Sequence, residues 1–177
     1  IMGLKKYILI VSIIVIAIHY TPPVVLDNLG NDIFSKLNKN EIISLQSWAY
    51  HFQGKNNYET IWNIIFWQED NIGYDYNKMF SHNPYIQSPT ETYGRHSGTC
   101  IDYTLLTACL LLGIHEDAYI FVIDSKTHSG GHAFCAVNIS GKLYAIDQLA
   151  PITDVDSHMK YFSKEYPDLN LNSIKIY

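Results

Sequence analysis

After residue 37, apolar residues recur with the spacing of amphipathic helices. Asn38 stands three residues before Glu41, which is the arrangement of a helix capping box, and a helical stripe of apolar residues follows. Asn56 and Glu59 repeat this cap ahead of a second, strongly apolar stretch that stops before Gly73. The pattern therefore predicts two buried helices in succession.

Two further helices are predicted between residues 88 and 113. The segment Ser88-Pro89-Thr90-Glu91 is a helix start, because Ser is a capping residue, Pro suits the first helical position and Glu lies three residues after the cap. Residues 99–112 are then apolar on nearly all sides, and Gly113 ends them. A helix without a polar face belongs in the middle of a core.

The apolar pattern changes after this helix. Residues 118–123, 132–139 and 142–146 are rich in strand-forming residues, and Ser140-Gly141 between the last two is a short hairpin signal. Residues 156–165 predict a short helix and residues 173–177 one more strand. Because helices come first and strands follow, we predict an α+β domain with an antiparallel sheet.

The amino-terminal residues carry a separate pattern. Lys5 and Lys6 precede an uncharged apolar stretch, residues 7–18, and no small-residue cleavage site follows. We predict that residues 1–20 are a membrane anchor or signal segment, residues 21–37 a linker, and residues 38–177 one globular domain. The lysines place that domain outside the cytoplasm, either anchored or, if the segment is cleaved, secreted. A buried first helix or strand is the alternative for residues 1–20.

The composition is that of a folded domain, with 47% hydrophobic and 16% charged residues among 177. The formal net charge is −5, and no cluster of Lys or Arg follows Lys6, which argues against a nucleic-acid partner. Three cysteines without a Cys-x-x-Cys pair predict no disulfide framework, so that at least one thiol is free unless it pairs between chains.

Cys100 occupies a position that favours chemistry, one residue after Thr99 at the predicted start of the core helix. The unpaired backbone N–H groups and the dipole of a helix start both stabilise a thiolate, so Cys100 is a candidate nucleophile. Cys109 lies nine residues further on, about half a turn out of phase and ~13.5 Å along the axis. These two cysteines therefore cannot form a disulfide.

His132 and Asp147 lie on the two strands of the predicted hairpin. If residues 140–141 form a two-residue turn, the two side chains are diagonal neighbours on one face, ~7–8 Å apart at Cα, within reach of an imidazole–carboxylate hydrogen bond. A three-residue turn would place them on opposite faces. In that case Asp102 or Asp124 would have to be considered as the carboxylate.

A thiol, an imidazole and a carboxylate are the parts of an activated cysteine nucleophile. In this hypothesis His132 holds the Cys100 thiolate as an ion pair and later protonates the leaving group, while Asp147 fixes the tautomer of the ring. We expect His132→Ala to abolish turnover. Asp147→Asn is expected to cost less, because an amide can still orient a ring.

The residues around these three positions resemble a known family. Arg95 to Tyr103, reading RHSGTCIDY, is similar to the nucleophile motif of transglutaminase-like proteins, and the stretches 131–134 (GHAF) and 141–147 (GKLYAID) are similar to its His and Asp motifs. The resemblance covers roughly residues 39–150. It implies a papain-like core in which a Cys-bearing helix packs on an antiparallel sheet bearing His and Asp. Gln148 departs from the family, which often has Pro after the Asp.

The resemblance implies chemistry at amide bonds, because the superfamily includes transglutaminases, cysteine peptidases, amidases and inactive members. We therefore predict a membrane-anchored, extracytoplasmic cysteine enzyme without a cofactor. The expected reaction is hydrolysis of a peptide, protein or cell-wall amide through a thioester. Transglutaminase-type acyl transfer and a catalytically inactive, membrane-tethered binding module are the alternatives.

An enzyme of this kind needs hydrogen-bond donors for the oxyanion of the tetrahedral intermediate. The backbone N–H of Cys100 is one donor by its position at the helix start. The second donor cannot be located in the sequence, and Tyr93, His96 and Trp67 are its candidates.

A metal site is the competing chemical hypothesis. His128, His132 and Cys135 have the spacing of zinc ligands. The strand pattern disfavours a metal site, because His132 and Cys135 are three positions apart. An odd step along a strand points their side chains to opposite faces. We therefore expect no metal.

Overall fold

A computed structural model describes residues 23–81, 85–125, 131–148, 151–165 and 169–176 of the chain. Seven α-helices occur in these residues: α1 (Pro23–Lys36), α2 (Lys39–Ala49), α3 (Asn57–Asn71), α4 (Tyr76–Met79), α5 (Pro89–Arg95), α6 (Cys100–Gly113) and α7 (Val155–Glu165). A short 3-10 turn, Tyr50–Phe52, continues from α2.

The helix starts that the sequence predicts are confirmed by their hydrogen bonds. The Asn38 side chain accepts from the backbone N–H of Glu41 at the start of α2, and Asn56 does the same for Glu59 in α3. Ser88 caps α5, with Pro89 in its first turn. These side chains satisfy N–H groups that have no partner within their own helix, which is why such short sequences define helix boundaries.

Five strands form one antiparallel sheet in the order β6-β5-β4-β3-β7, as the α+β prediction requires. They are β3 (Ala118–Ser125), β4 (Gly131–Ile139), β5 (Lys142–Ile146), β6 (Thr153–Asp154) and β7 (Leu169–Ile176). Two further short strands, β1 (Gly73–Tyr74) and β2 (Ser97–Gly98), pair in parallel beside it as a separate two-stranded sheet.

The hairpin between β4 and β5 has the register predicted from its two-residue turn. Cys135 pairs with Ile146, and Ile139 pairs with Lys142 at the end next to the turn. Ser140 and Gly141 have φ values of 54° and 86°, the left-handed backbone that two-residue hairpin turns need. This register places the two candidate side chains of the hairpin on one face.

The sheet packs a different helix on each face. Alternate residues of β3 and β4, among them Ile120, Val122 and Cys135, join the large core that surrounds α6. The intervening residues Phe121 and Phe134 belong to a second, smaller core under α7. Since α6 is apolar nearly all round and fully buried after its first turn, the larger core is built about that helix.

Residues 21–37, predicted as a linker, hold a helix over most of their length. Helix α1 begins at Pro23, and Ile33 and the following Leu37 are buried in the larger core. The two residues are four positions apart, so they lie on one face of the helix. The turn-forming residues that suggested a linker are accommodated because Pro is well tolerated in the first turn of a helix.

Among the described residues, no helix combines the length and the apolar character needed to cross a membrane. The predicted anchor or signal segment, residues 1–20, lies outside the described residues.

Candidate active site

Cys100 is the first residue of α6, as the sequence predicts, and its side chain is partly exposed. The preceding Thr99 donates hydrogen bonds from its backbone N–H and its hydroxyl to Asp102 Oδ2, over 2.7 and 2.9 Å. This pairing is a capping box, and it fixes the first turn of the helix on which the thiol stands. The thiol is therefore presented by a rigid helix start.

The parallel pairing of β1 with β2 brings a second side chain to Cys100. Tyr74 pairs with Gly98, two residues before the cysteine, and the backbone N–H of Asp75 donates to Gly98 O over 2.9 Å. A Cβ atom at position 98 would lie 2.7 Å from the Asp102 Cβ, so only glycine allows residue 98 to lie this close to Asp102. Tyr74 is thereby close enough to Cys100 for the charge of the thiolate to help raise the pKa of the Tyr74 hydroxyl.

A buried ion pair holds the surroundings of this helix start together. The Lys78 ammonium donates to Asp102, and the side chains of Lys78 and Asp102 are 6% and 0% exposed. Asp102 also accepts from the backbone N–H of Gln87 over 2.8 Å, and the ammonium lies 4.6 Å from the centre of the Tyr85 ring. One carboxylate thus ties the start of α6 to α4 and to the segment before α5.

His132 and Asp147 meet as the register predicts. His132 Nε2 donates to Asp147 Oδ2 over 2.8 Å, and His132 and Cys100 line the same cleft, where the imidazole lowers the pKa of the thiol. His132 is the second residue of β4, at the end of the sheet, so its ring reaches α6 although the rest of its strand face packs under α7. The structure thereby brings together all three residues of the predicted triad.

The charges of the three groups support one another. Burial opposes a charged imidazole, but the hydrogen bonds to Asp147 and Cys100 raise the pKa of His132 to about 9. Burial also opposes the thiolate, yet His132 brings the pKa of Cys100 below its ordinary value. Against its burial, hydrogen bonds from His132 and His158 hold the pKa of Asp147 well below its usual range. The arrangement favours a thiolate–imidazolium pair next to an ionised carboxylate.

The other two thiols lie in environments of the opposite kind. Burial raises the pKa of both Cys109 and Cys135 to about 12, and both side chains are fully buried in the larger core. Tyr74 also stays protonated over the working pH range, because burial and the nearby Cys100 raise its pKa to about 12. Its hydroxyl therefore keeps its proton beside Cys100.

Helix α7 covers the other side of the triad. His158 Nε2 lies 3.1 Å from Asp147 Oδ2, the same oxygen that His132 contacts. The Phe162 ring stacks on the His132 ring with centroids 4.9 Å apart. The second carboxylate oxygen, Oδ1, accepts from the backbone and the side-chain amide of Gln148, over 2.8 and 3.0 Å.

A cleft of about 500 Å³ opens at the thiol. Cys100 and His132 line it together, and the opposite walls include Asp32 and Lys36 of α1 and Tyr85 before α5. A cleft of this size accommodates a peptide-like segment next to the sulfur. Helix α1, which the residue pattern does not predict, thus lines part of this cleft.

The three side-chain candidates for the second oxyanion donor lie elsewhere. Tyr93 stacks on Trp67 at 5.8 Å and meets Trp48 in an aromatic cluster, and His96 Nδ1 lies 3.1 Å from Asn71 O. None of Tyr93, Trp67 and His96 is among the described residues that line the cleft. Tyr74 is not among those lining residues either, but of the four it is the one whose pKa is raised by Cys100.

Sequence reasoning did not identify Tyr74 and His158. The signal for Tyr74 was its place between Gly73 and Asp75 at the end of the second predicted helix, but its partner strand is only two residues long. The signal for His158 was its position one helical turn before Phe162 in a short amphipathic helix. In both cases the functional neighbour is distant in sequence, which residue spacing alone does not reveal.

The zinc hypothesis gains no support from the geometry. Cys135 lies in the larger core on the α6 face of the sheet, whereas the His132 ring is bound to Asp147 and stacked on Phe162 of α7. His128, the third residue of that hypothesis, lies outside the described residues. Within the described ranges, no group of three His, Cys, Asp or Glu side chains is arranged to hold a metal ion.

The profile of a family described as a transglutaminase-like domain matches residues 43–177, and the chain therefore belongs to the transglutaminase-like family. Curated relatives are UPF0252 proteins of archaea. One from Pyrococcus horikoshii is 41% identical over 59% of this chain and 33% of its own length. One from Pyrococcus furiosus is 37% identical over 67% of this chain and 36% of its own length. The chain thus spans about a third of the length of these relatives.

One solved structure shares the fold at low sequence identity, and a second is similar at a lower TM-score. A protein from Cytophaga hutchinsonii, described as a proposed cysteine protease, superposes with a TM-score of 0.53 at 22% identity, covering 89% of this chain and 56% of that one. LapG of Legionella pneumophila gives a TM-score of 0.45 at 17% identity, covering 73% of this chain and 79% of that one. The predicted transglutaminase-like α+β fold is confirmed.

Proposed function

We propose that this chain is a cysteine enzyme that cleaves amide bonds through a thioester acyl-enzyme, with Cys100, His132 and Asp147 as its catalytic triad. The observation that carries the proposal is that Cys100 and His132 line one open cleft while His132 is hydrogen-bonded to Asp147 over 2.8 Å. A merely structural cysteine has no need of an imidazolium partner or of an approach from solvent.

The acylation step follows from the positions of these groups. The Cys100 thiolate attacks the carbonyl carbon of the amide, so that a carbon–sulfur bond forms and the carbonyl electron pair moves to oxygen. In this proposal the backbone N–H of Cys100, at the start of α6, donates a hydrogen bond to this oxyanion, and the Tyr74 hydroxyl is the candidate for the second donor. When the intermediate collapses, the carbon–nitrogen bond breaks, and the His132 imidazolium gives its proton to the leaving amine.

The second step regenerates the enzyme. Neutral His132 takes a proton from water as the water oxygen attacks the thioester, and the sulfur leaves as the thiolate, giving a carboxylic acid. A primary amine that attacks in place of water gives a new amide, which is transglutaminase-type transfer. We favour hydrolysis of a peptide, protein or cell-wall amide, since a cleft of about 500 Å³ holds an extended peptide segment.

The test is to trap the thioester. One sample of the protein is incubated with an electrophilic probe for cysteine nucleophiles, and a separate, unlabelled sample is screened against peptide and cell-wall amides, both with intact-mass detection of adducts. We expect one adduct on Cys100, which Cys100→Ser removes and the matched control Cys109→Ser retains. Adding a primary amine separates the two reactions, because transfer gives an amide product in place of the acid. A folded protein with an unreactive Cys100 would instead be a binding module on the same fold.

The location outside the cytoplasm is part of the same proposal. It is supported by Lys5 and Lys6 ahead of the uncharged residues 7–18. Deleting residues 1–22 should give a folded and equally active domain that no longer sediments with membranes. Deleting residues 1–37 is the matched comparison and should destabilise the domain, because it also removes Ile33 and Leu37 from the core. Loss of helical circular dichroism in the shorter deletion would assign residues 1–22 to the core.

A further inference from the structure

Asp147 is shared by two histidines. His132 Nε2 and His158 Nε2 lie 2.8 and 3.1 Å from the same oxygen, Oδ2, although the two rings come from β4 and α7. A carboxylate only accepts hydrogen bonds, so each ring donates from Nε2. A triad needs only one of these contacts, and the role of the second is not explained by the proposed chemistry.

The surroundings of His158 fix its ring for this contact. The Thr153 hydroxyl lies 3.5 Å from His158 Nδ1, and a hydroxyl that donates there leaves the ring proton on Nε2. The ring also packs edge-on against Phe134 at 4.7 Å and against Phe162 at 5.0 Å. His158 is therefore held in the orientation and the tautomer that can donate to Asp147.

We propose that His158 is a positioning residue that holds the Asp147 carboxylate in line with His132. The proposal rests on the proposed function, because it concerns the same triad. With Gln148 donating twice to Oδ1 and His158 donating to Oδ2, the carboxylate is held from two directions besides His132. Without His158, Oδ2 has one donor fewer, and the carboxylate is free to rotate away from the ring that faces the thiol.

Two substitutions separate the hydrogen bond from the packing. His158→Phe keeps an aromatic ring against Phe134 and Phe162 but has no donor. His158→Gln loses the ring but can place an amide N–H near the position of Nε2. Lys160→Ala, at an exposed position of the same helix, is the matched control. Thermal unfolding of each variant establishes that it is folded.

The readout is the pH dependence of Cys100 alkylation by iodoacetamide, followed by peptide mapping, together with kcat on any substrate found. We expect His158→Phe to shift the acid limb of alkylation to higher pH and to lower kcat about tenfold, the loss typical of one hydrogen bond to a charged group. His158→Gln should recover most of both effects. Lys160→Ala should leave both unchanged.

The contrary outcomes are distinct. A folded His158→Phe protein with the parental alkylation profile would overturn the inference. An alkylation profile shifted to lower pH would also overturn it, since His158 would then compete with His132 for the carboxylate. Equal losses in the Phe and Gln variants would overturn it as well, because they would indicate that packing alone matters. If Cys100 of the parent shows no thiolate below its ordinary pH range, the proposed function itself fails.

Discussion

Replacing Asp147 by Asn tests the electrostatics of the site, and the structure predicts a larger loss of activity than the sequence does. From the sequence, this substitution is expected to cost less than His132→Ala, because an amide can still orient the ring. In the structure, however, the four hydrogen-bond partners that the described residues offer Asp147 are all donors: His132, His158 and the two N–H groups of Gln148. An amide has only one acceptor oxygen, so its NH₂ group must face donors on one side.

The magnitude follows from the pKa of the imidazole. In the parent protein the pKa of His132 is raised from 6.5 to about 9, so the imidazolium is present below that pH and is lost as the pH rises through it. If loss of the carboxylate returns the pKa toward the ordinary value, the protonated fraction at about pH 8 falls roughly thirtyfold. An NH₂ group facing His132 Nε2 would in addition favour the tautomer with its proton on Nδ1, toward the thiol.

We therefore expect Asp147→Asn to lower kcat/KM at about pH 8 by thirtyfold or more and to move the basic limb of the profile downward from about 9. The assay is the pH profile of turnover, with the His132 ring proton followed by NMR. Asp156→Asn, at an exposed position of α7, is the control of equal charge change. A variant with the parental profile and more than half of the parental activity would refute this account of the site.

Three further predictions concern other parts of the site. Tyr74→Phe removes a donor at the thiol but little packing, so kcat should fall about a hundredfold while the thermal midpoint changes little; an unchanged kcat would exclude Tyr74 as an oxyanion donor. Limiting iodoacetamide at about pH 6 should label Cys100 at least about tenfold faster than Cys109 or Cys135, as peptide mapping can establish, and equal labelling would contradict the thiolate at Cys100. Lys78→Met should lower the free energy of unfolding by about 3 kcal/mol in urea, because it leaves a buried carboxylate without its charged partner, and a neutral effect would mean that the carboxylate's other donors suffice.

The parts of this molecule that could be predicted from its sequence are those set by local rules. The caps at Asn38, Asn56 and Ser88 involve residues three positions apart, and the β4–β5 register follows from a two-residue turn. The same register correctly placed His132 beside Asp147.

The parts that could not be predicted depend on contacts between distant segments. Tyr74 reaches Cys100 only because two strands of two residues each pair in parallel, and a two-residue strand has no periodicity to detect. His158 reaches Asp147 because α7 crosses the sheet face beneath the hairpin. Helix α1 was missed for a related reason: its pattern is interrupted by turn formers, and Ile33 and Leu37 find their partners in the distant core.

The two cores on opposite faces of the sheet affect when the Cys100 thiol becomes reactive. The nucleophile belongs to the layer built around α6, whereas the ring and carboxylate that activate it are steadied from the layer under α7. Full reactivity at Cys100 therefore requires that the two layers pack together, and neither layer alone provides it. In the proposed enzyme, a newly made chain therefore reaches its full thiol reactivity only after residues 153–165, which follow the hairpin in the sequence, have packed against the sheet.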